Sequence, residues 1–538
     1  MDAPKLARRP NPKVKTGCIT CKKRRVKCDE KRPKCLRCIK TGRICDGYAQ
    51  LDRDYFVQVF SHAQARSGRL ERTVPTVSLY GDNVHCLEFY FHCVRPMLSG
   101  RFDTQFWSRI ALQLAHAEPS VRNALIALSH LSKCEPGTLE HARRSTATKD
   151  PSQLKPFWYS YNNAVKCLVN RIAEPSYTPE VGLVSCILFV CIEFLRTDSH
   201  TAFTHLKNGL RIVSELRRER RTDLGTRQEG SAQHRFGAST SMIEEELVPI
   251  LIQGLMSALM YGVDVDTEFT FLEHQPSCNY KQRFYDIREA LSSYWDLRNA
   301  SVLLARDMAM KLHQGVRPTK SDLQRRDYIL QDHCTWLQAL LELESFSNAS
   351  TDERVSFSAL KLAYYSTYTA CACVTDTHEM SFDAHLSTFE ALILHAKVIV
   401  KSMGITNVAD PLRSRKDAVA NFTFDTALIP ALYHTALHCR CPTTRREAVT
   451  LLSLNIPREG LWDAQQHCIV AKRVIEIEEM EVDERGWPTE QARLSSSIVG
   501  LDLDKDGMFR ADFLFAKDLG ARTDKGWSER FALAEDQV

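Results

Sequence analysis

The chain has 538 residues, 44% hydrophobic and 25% charged, which excludes a wholly disordered, collagen-like or disulfide-stapled protein and predicts several folding units. Its net charge of +5 is unevenly placed: residues 1–50 hold 16 Lys+Arg against 4 Asp+Glu, leaving 55 basic and 62 acidic residues in the other 488. A short cationic arm on a faintly acidic body is the distribution of a nucleic-acid contact module carried by a larger domain.

In chain order, residues 1–17 form a basic N-terminal arm with prolines and no apolar stretch of the kind a secretory signal needs, so no export is expected. Residues 18–45 concentrate six of the 19 cysteines, as Cys18-x2-Cys21-x6-Cys28 and again as Cys35-x2-Cys38-x6-Cys45. So short a segment with few large apolar side chains cannot build a stable core, and zinc–thiolate bonds supply the missing folding energy. In a reducing compartment such a cluster binds metal rather than forming disulfides. Two tetrahedral zinc ions need eight metal–sulfur bonds, so six thiolates suffice only if two sulfurs bridge. The duplicated spacing makes Cys18 and Cys35, the first cysteine of each half, the natural bridging pair. Four thiolates from Cys18, Cys21, Cys35 and Cys38 could instead hold one zinc, but that arrangement leaves the matched positions of Cys28 and Cys45 without a reason.

The two halves differ in charge. The interval after Cys21 carries Lys22, Lys23, Arg24, Arg25 and Lys27, whereas the one after Cys38 carries only Lys40 and Arg43. The first half is therefore the DNA reader, and Arg8, Arg9, Lys13, Lys15 and Lys22–Arg25 also form a bipartite nuclear-import pattern.

At these residues the chain closely resembles the fungal Zn2Cys6 binuclear-cluster transcription factors. All six cysteines, Lys22–Lys27, Asp29, Pro33 and the Lys40–Ile44 run match that pattern. The resemblance implies two Zn2+ bridged by Cys18 and Cys35, recognition of a CGG-like triplet in double-stranded DNA, and base contacts from Arg24 and Arg25. Lys22, Lys23 and Lys27 are then expected on phosphates. An Arg-Arg pair, where the family often has lysine, leaves the triplet itself open.

Residues 46–84 read as a linker. Its best heptad register sets Ala49, Phe56, Ala63 and Leu70 on one seam position but Asp46, Arg53 and Ser67 beside Phe60 on the other, too polar for a coiled coil. Any homodimer would therefore form through the body. From 85 to 480 the pattern is of successive amphipathic helices, with Phe203, Leu206, Leu210, Val213 and Leu216 on one face. The apolar run Val181–Ile192 is too short to span a bilayer and reads as a buried helix opened by Thr178-Pro179, so no membrane association is expected. Residues 217–241, polar and glycine-bearing, read as a mobile loop. Further helices are predicted near 242–261, 285–314, 321–345, 356–374, 387–402, 425–440, 443–454 and 461–481, with 481–538 a C-terminal extension.

The fold class expected is thus a small binuclear zinc module followed by a large all-α regulatory domain. Phe102-Asp103, Phe106-Trp107, Glu118–Arg122, Phe194-Leu195 and Arg458–Asp463 resemble the helical regulatory region that many fungal Zn2Cys6 proteins carry. That resemblance implies an α-helical region used for regulation, contact with the transcription machinery or response to a small-molecule effector, with no established catalytic activity. The function expected is a nuclear RNA polymerase II transcription factor, of the kind that often governs a metabolic or secondary-metabolite gene cluster. The alternative is a metabolite-sensing or enzymatic body with the zinc module as a tether.

Three tempting motifs have plainer readings. Asp502-x-Asp504-x-Asp506-Gly507 begins like a calcium loop, but its twelfth position is Phe513 rather than Glu. His434, His438, Cys439 and Cys441 suit a partly buried helix end. His378-Glu379 lacks the second histidine of a zinc protease, since position 382 is Phe.

Overall fold

The computed structural model describes residues 20–21, 24, 26–29, 35–43, 83–99, 105–134, 153–226, 242–261, 283–347, 349–405, 421–424, 426–504, 506–520 and 526–533. The chain divides into two compact units, Met1–Thr76 and Val77–Val538. In the first, Thr20 and Cys21 are helical, and a short helix, α1 (Leu36–Lys40), follows directly after Cys35.

The second unit is helical through most of its length. α2 (Val84–Phe89) passes through a π-helical turn into α3 (Arg95–Leu98), and a second π turn, Phe106–Ile110, leads into α4 (Ala111–Ala117). α5 (Pro119–Cys134), α6 (Lys155–Ile172), α7 (Pro179–Arg196) and α8 (Ser199–Thr226) follow. α7 is buried on every side from Glu180 to Leu195, packed between α5 and α8, which is why its sequence is apolar without periodicity. Pro179 opens it, as the sequence predicts, and the left-handed Thr197 (φ 66°) closes it. Among the described residues no helix is long and apolar enough to cross a membrane.

A third π turn, Ile243–Leu247, continues into α9 (Val248–Met260). Three long helices then pack together: α10 (Ile287–His313), α11 (Lys320–Phe346) and α12 (Thr351–Cys373). Their starts are set locally, by the Asp286 side chain on the amides of Arg288 and Glu289 and by capping boxes at Thr319/Asp322 and Ser350/Glu353. Trp336 is the centre of this bundle: its ring stacks on Tyr364 at 5.8 Å, and its indole N–H donates to the Ala290 carbonyl at 3.0 Å. Burying both an aromatic face and its satisfied N–H gives α11 one register against α10 and α12.

α13 (Leu386–Ser402), α14 (Leu428–His438), α15 (Pro442–Leu452) and α16 (Ala464–Glu478) build the last core. The short parallel pair β1 (Phe422–Thr423) and β2 (Arg458–Glu459) lies at its edge. The chain ends in an antiparallel sheet in the order β3 (Leu494–Val499), β4 (Met508–Phe515), β5 (Trp527–Ala532). Leu494, Val499, Phe509, Ala511 and Phe513 of that sheet are buried in the same core as α14 and α16.

Two expectations need correction. Residues 217–226 do not form a loop: α8 continues to Thr226, and Arg217 on it makes a two-pronged ion pair with Glu244 at 3.2 and 2.7 Å. Charge alone does not end a helix, and the first glycine of the stretch is Gly225. Residues 227–241 lie outside the described residues. The helical class stands, with a sheet added at residues 494–532, so the extension from 481 is part of the body's core.

The Arg458–Asp463 motif holds this unit together. The Arg458 guanidinium donates to the Phe194 carbonyl and lies over the Phe422 ring at 5.2 Å. Glu459 accepts from the amides of Ala427, Leu428 and Ile429 at 2.9 to 3.1 Å, serving the start of α14. The Trp462 indole reaches Ser257 Oγ at 3.3 Å, and Asp463 caps α16.

Candidate metal centre and nucleic-acid interface

Cys21, Cys35 and Cys38 are fully buried, with their sulfurs all within 4.8 Å of one another. Cys21 Sγ lies 3.7 Å from Cys35 Sγ and 3.8 Å from Cys38 Sγ. A zinc tetrahedron with Zn–S bonds of about 2.3 Å has an edge of about 3.8 Å, which the Cys21–Cys35 and Cys21–Cys38 separations match. Val26 and Cys28 pack against the same cluster. Cys18 and Cys45, the remaining sequence-predicted ligands, lie outside the described residues.

Local chemistry explains the placement of the second half. Cys35 is the N-cap of α1, and its sulfur accepts from the Cys38 amide at 3.3 Å. Asp29 accepts from the two preceding amides, Leu36 at 3.0 Å and Arg37 at 2.5 Å. The first three donors of α1 are thereby satisfied, and negative charge sits at its positive end. Thr41 then closes the helix through Oγ1 to the carbonyls of Arg37 and Cys38, and Gly42 turns left-handed at φ +65°. The sequence reading did not give Asp29 or Thr41 a role. Their signal was a carboxylate seven residues before the helix and a Thr-Gly pair after it.

The duplication is visible in the backbone. Cys21 and Cys38 are 17 residues apart, and at the same offset the Val26 amide donates to Cys21 O at 3.1 Å while the Arg43 amide donates to Cys38 O at 3.0 Å. Arg24 Nη1 donates to Thr41 Oγ1 at 3.4 Å, joining two positions related by that offset. Of the candidate DNA contacts, Arg24 is half-buried against Thr41 and Lys27 is exposed. Lys22, Lys23 and Arg25 lie outside the described residues.

The other motifs resolve into packing. Asp504 Oδ1 accepts from the amides of Asp506 and Met508, Arg530 ion-pairs with Asp504 and Asp506, and Gly507 turns the β3–β4 hairpin at φ +71°. Phe382, where a zinc protease would need histidine, stacks on His438 at 4.3 Å. Glu379 accepts from His438 and Arg440 at 3.2 and 3.1 Å. Burial holds the His434 ring far below its ordinary pKa, and burial pushes the Cys439 thiol up to about 12, so these groups sit as neutral core side chains. Arg440 also shares a second buried acid with Arg445: Glu478 accepts from Arg440 at 3.1 Å, from Arg445 at 2.8 Å and from the Leu494 amide at 2.9 Å.

Comparison with known proteins agrees with both units. Residues 16–55 match the fungal Zn(2)-Cys(6) binuclear cluster domain, which takes two zinc ions, and residues 85–282 match the fungal specific transcription factor domain. The Aspercryptin biosynthesis cluster-specific transcription regulator of Emericella nidulans is 30% identical over 225 residues, 37% of this chain and 35% of its own length. A transcription regulator of Purpureocillium lilacinum is 30% identical over 205 residues, 36% of this chain and 48% of its own. A Schizosaccharomyces pombe transcriptional regulatory protein, moc3, is 57% identical over 44 residues, 7% of this chain and 9% of its own. The chain thus spans less than half the length of each of these relatives. No solved structure matches it.

Proposed function

Starting from a chain that carries both domains of the fungal Zn2Cys6 transcription regulators, we propose that it is a nuclear, sequence-specific DNA-binding regulator that reads a CGG-like triplet and controls a biosynthetic gene cluster. Cys18, Cys21, Cys28, Cys35, Cys38 and Cys45 would hold the two zinc ions. When bound, the metal supplies the folding energy that a segment this small lacks. Arg25 and Arg24 donate to guanine O6 and N7, for which a guanidinium's paired donors are suited, and Lys22, Lys23 and Lys27 neutralise phosphates. The observation that carries this reading is the buried trio of thiols, with Cys21 Sγ 3.7 and 3.8 Å from the sulfurs of Cys35 and Cys38, and five cations in the interval next to Cys21.

The reading extends to the body as a regulatory region in contact with the transcription machinery. The gene-cluster part is supported by the name of the Emericella nidulans relative, described as cluster-specific.

Selection from random duplexes by the full-length protein should enrich a CGG-like motif, and a zinc chelator should abolish the enrichment. Binding should weaken with salt by about 0.9 log units per log unit for each phosphate neutralised. Enrichment of no motif by the zinc-loaded protein, or of the same motif after metal removal, would overturn the proposal. Mapping bound sites across the genome tests the gene-cluster part separately.

A further inference from the structure

α6 (Lys155–Ile172) distributes its side chains in the reverse of the usual order. It packs along α5 and buries Phe157, Ser160 and Ala164, so two of its three buried positions hold only a hydroxyl and a methyl. Outward it carries Trp158, Asn162, Val165, Val169 and Ile172, at successive intervals of 4, 3, 4 and 3 residues. Val165, Val169 and Ile172 are 37%, 62% and 52% exposed. Intervals of 4 and 3 align on one helix face, and a stripe of large apolar side chains so aligned is the seam by which one helix packs on another. Single exposed apolar residues need no explanation, whereas a contiguous patch of them marks a contact site.

Trp158 is already set as an anchor. The Arg196 guanidinium lies 4.6 Å from the centre of its ring and Tyr161 meets it edge-on at 6.1 Å, so little rotamer freedom is left to lose on binding. Asn162 is the one polar position of the stripe, a residue type that sets register and oligomer state at some cost in stability.

The charges at the two ends match a second copy of this chain. Lys155 is exposed at the start of α6, and Glu174 is exposed just past its end, where it also pairs with Arg171 at 3.1 Å. A two-fold axis at Val165 reverses one helix on the other and sets Trp158 against Ile172 of the second copy. It brings Lys155 beside Glu174 of the second copy at both ends, and the helix dipoles oppose. Parallel pairing would set Lys155 against itself. Eighteen residues of helix give a contact about 27 Å long. One helix pair of that length belongs with the small interfaces, below about 1,200 Å² in total, so the association is a transient one.

We propose that the outward face of α6 is a homodimer contact, two copies of the body pairing antiparallel through Trp158, Val165, Val169 and Ile172. The inference goes beyond the DNA-binding reading and does not depend on it, and its test contains no DNA.

The test is sedimentation of full-length, zinc-loaded protein over about 1–100 μM, the range in which a small interface exchanges. The parent protein should pass from monomer to dimer. Val169→Asp should weaken the dimer by about tenfold or more while the far-UV circular dichroism stays that of the parent. Lys155→Glu sets two carboxylates together at each end and should weaken the dimer by about two- to fivefold; Lys155→Glu combined with Glu174→Lys should restore it. The charge reversals decide the matter if Val169→Asp does not fold. A parent that stays monomeric throughout, which would leave the face to a partner of another sequence, would overturn the proposal. So would a dimer indifferent to Val169→Asp, or a double reversal no tighter than the single one.

Discussion

Replacing Asp29 by alanine removes the acceptor for the first two amides of α1, the helix that carries Cys38. A lost helix cap costs about 1 kcal/mol, and loss of the charge at the helix N-terminus adds about 0.3–1 kcal/mol. With five residues, α1 is far too short to persist without outside support, so that cost falls on the folding of the module as a whole. Because folding and metal binding are one equilibrium in such modules, about 1–2 kcal/mol becomes a five- to thirtyfold loss of zinc affinity. The assay is chelator titration of the full-length protein, read by fluorescence anisotropy of a bound duplex. Asp29→Ala should release DNA at five- to thirtyfold lower chelator activity than the parent protein. Asp29→Asn, which keeps an accepting oxygen and loses the charge, should fall between them. A midpoint for Asp29→Ala equal to the parent's would refute the assignment of Asp29 as the outside support of α1.

Arg25→Ala should weaken the preferred duplex by about 1–3 kcal/mol more than random DNA, whereas Lys27→Ala should weaken both alike and flatten the salt slope by about 0.9; equal losses for Arg25→Ala would reduce it to a phosphate contact. Glu478→Ala leaves Arg440 and Arg445 buried without their shared acid and should cost about 3–5 kcal/mol in denaturant titrations, so a loss below about 1 kcal/mol would refute the buried-charge account. His333 is buried, and burial lowers its pKa from the ordinary 6.5 to about 3, so the folded body excludes a proton that the unfolded chain takes up. Its contribution to stability is therefore present above pH 6.5 and declines as pH falls from there toward 3, by up to about 1.4 kcal/mol per unit. His333→Gln should flatten that decline in denaturant midpoints measured from pH 7.5 to 5.5, and parallel slopes would count against it.

The parts legible in the sequence were those set by local chemistry. The cysteine spacing announced the thiol cluster because metal ligation fixes intervals, and Thr178-Pro179 announced α7 because proline suits the first helical turn. The helices predicted near 321–345 and 356–374 appear as Lys320–Phe346 and Thr351–Cys373, each with a capping box that the sequence spells out. What was hidden depends on distant partners. Polarity at 217–226 suggested a loop, but the helix persists and Arg217 finds Glu244 from another element. The alternation of Phe509, Ala511 and Phe513 on β4 was the available signal for the terminal sheet, masked by the aspartate-rich turn before it. Asp29 belongs to the motif that the sequence displays, but its hold on the amides of Leu36 and Arg37, seven and eight residues along, is a contact that spacing alone does not announce.

The bonds from Arg458 to Phe194 and from Trp462 to Ser257 have a consequence for how such proteins can be recombined. A chimera joined at residue 282, where the match to the transcription factor domain ends, would pair one parent's Phe194 and Ser257 with the other parent's counterparts of Arg458 and Trp462. The Phe194 acceptor is a backbone carbonyl that either parent supplies, but a parent without a hydroxyl at the Ser257 position would leave the buried Trp462 N–H unsatisfied, at a cost of about 1–3 kcal/mol. A junction near residue 76, where the two compact units divide, cuts none of these bonds and exchanges the zinc-cluster domain as a cassette.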